Sequence, residues 1–120
     1  MPALSAPTLA LIQGVFYAAT GVWALVDLDS FMAVTGPKTD RWLVKTVGVL
    51  VTVIGGVLLL AWRRGGVPLE VVVLAVGSAL SLAAIDVIYV SNGTIRPVYL
   101  LDAVVEVALA LAWVPAARRG

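Results

Sequence analysis

Four apolar stretches, at about Thr8–Val26, Trp42–Trp62, Val67–Val90 and Pro97–Val114, dominate this chain. Each is long enough to cross a hydrocarbon layer of ~30 Å, which takes about 20 helical residues. Backbone polar groups find no water inside a bilayer, so such stretches are expected as helices. The chain is 62% hydrophobic and only 12% charged, with a mean hydropathy of +1.07. A water-soluble domain of this size has no interior large enough for that much apolar surface. The expected fold is therefore all-α: an integral membrane bundle of four transmembrane helices, up-down-up-down, in a single domain spanning 1–120.

The connections support that order. Arg63-Arg64-Gly65-Gly66, followed by Pro68 in the next first turn, is too short for anything but antiparallel neighbours. Asn92-Gly93-Thr94 reads as another tight turn, with Thr94 or Ser91 as a cap for the last helix. In the longest connection, Asp29 or Ser30 is expected to cap a short interfacial helical turn at Phe31-Met32-Ala33-Val34. Gly36-Pro37 would stop that turn, and Asp40 would cap the second long helix. Asp29 and Asp86, or Trp42-Leu43-Val44-Lys45 and Tyr99-Leu100-Leu101-Asp102, superpose when the first hairpin slides onto the second, the trace expected of a two-helix duplication.

The first stretch lacks a preceding Lys or Arg and is interrupted by Gln13, Tyr17 and Thr20, so it reads as a retained helix and not a signal peptide. Arg63, Arg64, Arg118 and Arg119 lie on one side, against Lys38, Arg41 and Arg96 on the other, which places both termini in the cytoplasm by the positive-inside rule. Glycine and alanine recur at helix-packing spacing in the first helix (Gly14, Ala18, Gly21) and the second (Gly48, Thr52, Gly55, Gly56), where they are expected to let helices pack closely inside the bundle.

With no Cys and no His, thiolate, haem and histidine-based catalysis are excluded, and no metal site or cofactor is expected. The eight Lys and Arg form no basic stripe, so nucleic acid is not an expected partner.

Chemistry concentrates in the outer half, toward the first and third loops. Glu106 lies about 14 Å along its helix from Pro97, close to the midplane. Asp102 and Tyr99 follow on the same stripe at one-turn intervals. Asp86 comes to a similar depth from the third helix, Lys45 from the second, and Tyr17 and Trp23 from the first. Ionisable groups inside a membrane segment are costly and usually mark a site. The expected ligand- or proton-binding set is Glu106, Asp102, Asp86, Lys45, Tyr99, Tyr17 and Trp23, with Lys45 neutralising Asp86 or Asp102. Two carboxyl groups one turn apart do not both ionise in a low dielectric, so Glu106 is expected to carry a proton and donate it to Tyr17 or a main-chain carbonyl.

The segment Ser30-Phe31-Met32-Ala33-Val34-Thr35-Gly36-Pro37-Lys38-Thr39-Asp40-Arg41-Trp42-Leu43-Val44-Lys45-Thr46-Val47-Gly48 resembles one found in small uncharacterised bacterial membrane proteins, and the four-span layout is similar to that of DoxX-like proteins. The resemblance implies a multi-pass protein of the bacterial inner (plasma) membrane and carries no activity with it.

Three functions fit these residues. The first is binding or transport of a cation, proton or lipophilic amine in an acidic, outward-opening pocket, with a homodimer expected for transport. Small multidrug exporters share the size, but they place the key acid in the first helix, where this chain has none. The second is an accessory subunit of a larger membrane complex. The third is a membrane enzyme that isomerises a lipid or isoprenoid by acid catalysis, for which no motif is present. A roomy cavity at Glu106 favours the first and third; a filled pocket with Lys45 bridging the aspartates favours the second.

Overall fold

The structure, a computed structural model, describes residues 4–36 and 41–119. Five helices follow one another: α1 (Ala6–Val26), α2 (Leu28–Thr35), α3 (Arg41–Arg64), α4 (Leu69–Ser91) and α5 (Tyr99–Arg119). No strand occurs among the described residues. Four of the five are long and apolar enough to cross a membrane, as the sequence predicts.

Local chemistry sets the ends. Ser5 caps α1 by accepting from Thr8 N at 3.3 Å, with Pro7 in the first turn. Asp27 ends α1 and begins α2. Its N–H donates to the Trp23 carbonyl at 3.0 Å, and its Oδ1 accepts from Ser30 N at 3.2 Å. The cap is thus Asp27, where Asp29 or Ser30 was expected, because the two helices share one junction residue and leave no linker. Gly36 closes α2 with φ +108°, a conformation that a side chain would strain. The expected cap at Asp40, the stop at Pro37 and the charge of Lys38 lie outside the described residues.

Thr94 caps no helix; its N–H and hydroxyl both donate to Asn92 Oδ1 within the tight turn. The last helix runs through Pro115 to Arg119 instead of ending at Val114. One proline costs a single main-chain bond, and membrane helices tolerate it where the freed carbonyl is satisfied locally.

The bundle consists of two hairpins. α1 lies against α3 along its length, and α4 against α5, whereas α3 touches α4 sparingly despite their short link. Antiparallel they are, but their contact is slight. The reason is the small-residue face that α1 and α3 share. A Cβ placed on Gly55 would meet Ala18 N at 2.6 Å and Gly14 O at 2.8 Å, and one on Gly21 would meet Gly48 O at 2.6 Å and the Thr52 hydroxyl. No face of this kind on α3 turns toward α4.

The hairpins join at the inner end, the end away from α2. There Leu9, Ala10, Leu58, Ala61, Ala75, Leu109, Trp113 and Ala116 form one buried cluster to which all four long helices contribute. Within it Gln13 makes a bridge. Its Oε1 accepts from Trp113 Nε1 at 2.8 Å, and its Nε2 donates to the Ala75 carbonyl at 3.0 Å, tying α1 to both α5 and α4.

Replacing Gly55 with alanine drives a methyl group into the α1 backbone and is expected to destabilise the bundle by about 1–3 kcal/mol. Gly56 has open space around its Cα, so Gly56→Ala should leave stability unchanged or raise it by up to about 1 kcal/mol. Thermal unfolding of the two variants in the same detergent checks the contrast.

Candidate functional site

Packed inner ends and separate hairpins leave the outer half open. A cavity of about 560 Å³ lies there between α1, α3 and α5, with α4 contributing Leu82 and Asp86 and α2 contributing Phe31, Val34 and Thr35 at the outer edge.

Its floor is Glu106, which is 1% exposed. The Tyr17 hydroxyl, equally buried, donates to Glu106 Oε1 at 2.7 Å across the α1–α5 contact. The expected partners therefore meet, the phenol donating to the carboxyl oxygen. Both side chains are large for this interior, and the bond lets each bury its polar end.

Asp86 and Asp102 stand nearer the outer surface. Asp86 is buried on α4, and the Asp102 carboxyl faces it from α5 within hydrogen-bonding reach. No donor among the described residues reaches Asp86 Oδ2. Tyr99 lines the cavity a turn beyond Asp102, as its spacing requires.

Trp23 forms the wall beneath α2. Its ring meets that of Phe31 edge-on, with centroids 5.1 Å apart, and its Nε1 donates to Ser30 Oγ at 2.7 Å. Two further ties hold α2 over the cavity mouth: Asp29 pairs with Arg41 at 3.0 Å, and Arg96 Nη1 donates to the Ala33 carbonyl at 3.3 Å. The Asp29–Arg41 pair is solvent-exposed on both sides and adds little stability of its own.

Six of the seven residues expected at the site thus line one cavity: Glu106, Asp102, Asp86, Tyr99, Tyr17 and Trp23. Lys45 does not. It is exposed on α3, lies outside the lining and forms no ion pair with either aspartate. On the helix it falls to one side of the Gly48 face, while Leu43, Val44, Val47 and Val51 fall to the other and line the cavity. No Lys or Arg among the described residues lines the cavity. Among the described residues, no three carboxyl groups are gathered closely enough to hold a metal ion.

Gln13 and Trp113 were not expected to act together. The signal was present in the sequence: a lone amide in an apolar helix needs a partner, and a buried indole N–H needs an acceptor. What the chain order hides is that these two face each other across α1 and α5.

Fold and cavity together describe a helical bundle of the multi-pass membrane class, with an acidic chamber toward one end. Compared with protein-family models, with curated proteins and with solved structures, the chain matches none.

Removing the phenol should show how firmly the floor is held. Tyr17→Phe leaves Glu106 Oε1 buried without its donor and is expected to cost about 1–3 kcal/mol of stability. Gln13→Leu, which cuts two interhelical bonds at the inner end, should cost about 1–2 kcal/mol on the scale of polar contacts between membrane helices. Unfolding in mixed micelles measures both; an unchanged transition for Tyr17→Phe would contradict the assigned bond.

Proposed function

We propose that this chain is a binding protein for an organic cation of the lipophilic-amine class, with the outer cavity as its site and transport as its purpose. The observation that carries the reading is the charge balance of the lining. Asp86, Asp102 and Glu106 all face one chamber whose wall, among the described residues, contains no Lys or Arg. Carboxyl groups held in a low dielectric without a counter-cation attract one from outside.

The rest of the lining suits a cation with an apolar body. Phe16, Trp23, Phe31 and Tyr99 offer aromatic rings, and Val44, Val47, Leu82 and Val105 supply alkyl surface. Cation–π attraction and apolar burial then act on the same molecule. A volume of about 560 Å³ accommodates a drug-sized guest. The spacing of the carboxyl groups favours an organic cation over a bare metal ion.

Lys45 bears on the choice between readings. A lysine bridging Asp86 and Asp102 would have argued for an accessory subunit whose charges only fix helix register. With Lys45 on the outer surface, that support is withdrawn. The carboxyl groups that face the chamber also suit acid catalysis, for which the sequence carries no motif.

In the cell, the protein is placed in the bacterial inner membrane with both termini in the cytoplasm, following the distribution of Arg63, Arg64 and Arg118 and the resemblance to DoxX-like proteins. The cavity would then open toward the outer leaflet. One chain encloses a single half-channel, so carrying a guest across calls for a second copy or a larger complex.

Protein purified in a zwitterionic detergent and titrated with decylamine, protonated at neutral pH, should show a saturable change in tryptophan fluorescence and a raised unfolding temperature. Decanol, of the same length but uncharged, should produce neither. The double variant Asp86→Asn/Asp102→Asn should bind decylamine about ten- to a hundredfold more weakly. Equal responses to the amine and the alcohol would overturn the reading.

A further inference from the structure

Asp86 Oδ2 is the one buried side-chain oxygen without a hydrogen-bond partner among the described residues that are not exposed. The side chain is 5% exposed, so water does not satisfy it from outside. Across from it stands the Asp102 carboxyl, a second acceptor on the same chamber wall.

Five described side chains that line the cavity carry donor hydrogens, Tyr17, Thr20, Trp23, Thr35 and Tyr99, and the first four are committed elsewhere. The Tyr17 hydroxyl is committed to Glu106. Thr20 donates to the Phe16 carbonyl at 2.7 Å and Thr35 to the Phe31 carbonyl at 2.9 Å. The Trp23 indole N–H is committed to Ser30. The chamber therefore offers a guest acceptors and ring faces, and asks it to bring both positive charge and N–H groups.

One flank of the chamber is open and apolar. Leu43 and Val47 on α3, and Leu101 and Val105 on α5, line it while remaining 45%, 46%, 69% and 43% exposed. These residues belong to helices long and apolar enough to cross a membrane, so the flank is turned toward hydrocarbon once the bundle sits in a bilayer.

We infer that the guest is a protonated primary or secondary amine bearing a single apolar chain, with an N–H on Asp86 Oδ2, its charge shared with Asp102, and its chain lying outward between α3 and α5. This rests on the reading of the chamber as an organic-cation site and narrows it. A quaternary ammonium carries the charge but has no N–H, and would leave Asp86 Oδ2 as unsatisfied as it is in the empty chamber. A site built to hydrogen-bond its ligand rejects analogues that lack the donor, because its own buried group is left unpaired. A short-chain amine has the donor but leaves the flank between α3 and α5 uncovered. Entry is from the bilayer and not from water, since the open side faces lipid.

The test compares radiolabelled decylamine, decyltrimethylammonium and butylamine on the full chain in nanodiscs of zwitterionic lipid, with the uptake of empty discs subtracted. Wild type should take up one decylamine per chain, at least about tenfold more tightly than decyltrimethylammonium and more tightly than butylamine. Asp86→Asn should lower the affinity for decylamine to that for the quaternary probe. Asp102→Asn should weaken both decyl probes together and keep the preference between them. Equal affinity of the two decyl probes for wild type, or a preference that survives Asp86→Asn, overturns this inference and leaves the broader organic-cation reading standing. Absence of saturable uptake of any probe overturns both, and leaves a proton shared between the carboxyl groups as the occupant. Should Asp86→Asn fail to fold, the wild-type comparison decides alone.

Discussion

The bridge through Gln13 decides where this bundle is closed and where it is open. Inside lipid, apolar side chains gain little by leaving one hydrocarbon for another, so helices are held by close packing and by polar groups that need each other. Glycines hold α1 to α3, and alanines at Ala75, Ala79, Ala83, Ala103 and Ala110 allow α4 and α5 to approach. Neither set joins one hairpin to the other. Gln13 does so, with one bond to each member of the second hairpin, and Trp113 fills the space around it. Tyr17 and Glu106 add a second tie about one turn further out. Beyond that level nothing draws α3 toward α4 and α5, and the chamber is the result.

The chamber is thus a product of where the tight contacts stop, and its polarity follows from the same division. Glu106 is buried because it lies at the level where the hairpins still touch. Asp102, one turn outward, is half-buried and faces the gap. α2 then determines access from above. Its eight residues are too few to span anything, yet Trp23, Arg41 and Arg96 tie it down from three separate elements. The open route that remains is lateral.

Much of this was legible in the amino-acid order. Four apolar stretches gave four helices within a few residues, since length and hydropathy leave lipid-embedded segments few alternatives. The stripe Tyr99, Asp102, Glu106 was legible because residues three and four apart share a helix face. Asp86, Tyr17 and Trp23 followed from depth alone: they reach the same level from other helices, and polar groups at one level of a bundle tend to turn inward. Lys45 broke that rule. A lysine one turn from a helix end has a long, flexible stem and can reach the interface from an outward face, so depth did not determine its direction. What fixed it was the glycine face of α3, which had to meet α1 and so rotated Lys45 away. Which two helices pair most closely is a tertiary fact that the short α3–α4 link does not reveal. The capping errors were local: Asp27 was overlooked because α1 and α2 meet with no residue between them.

Lys45 also sets a depth gauge. Among the described residues no carboxylate pairs with the ammonium on the outer face of α3, so it must stay within a side chain's length of water or lipid headgroups. α3 cannot slide further into the bilayer without submerging that charge, nor rise without lifting the apolar turns behind it out of the hydrocarbon. Because the glycines lock α1 to α3, and Tyr17 and Gln13 lock α1 to the other hairpin, the whole bundle is pinned at the level Lys45 chooses. Leu43 and Val47, which border the opening between α3 and α5, lie within two residues of Lys45, so wherever that charge meets the interface the opening keeps the same depth.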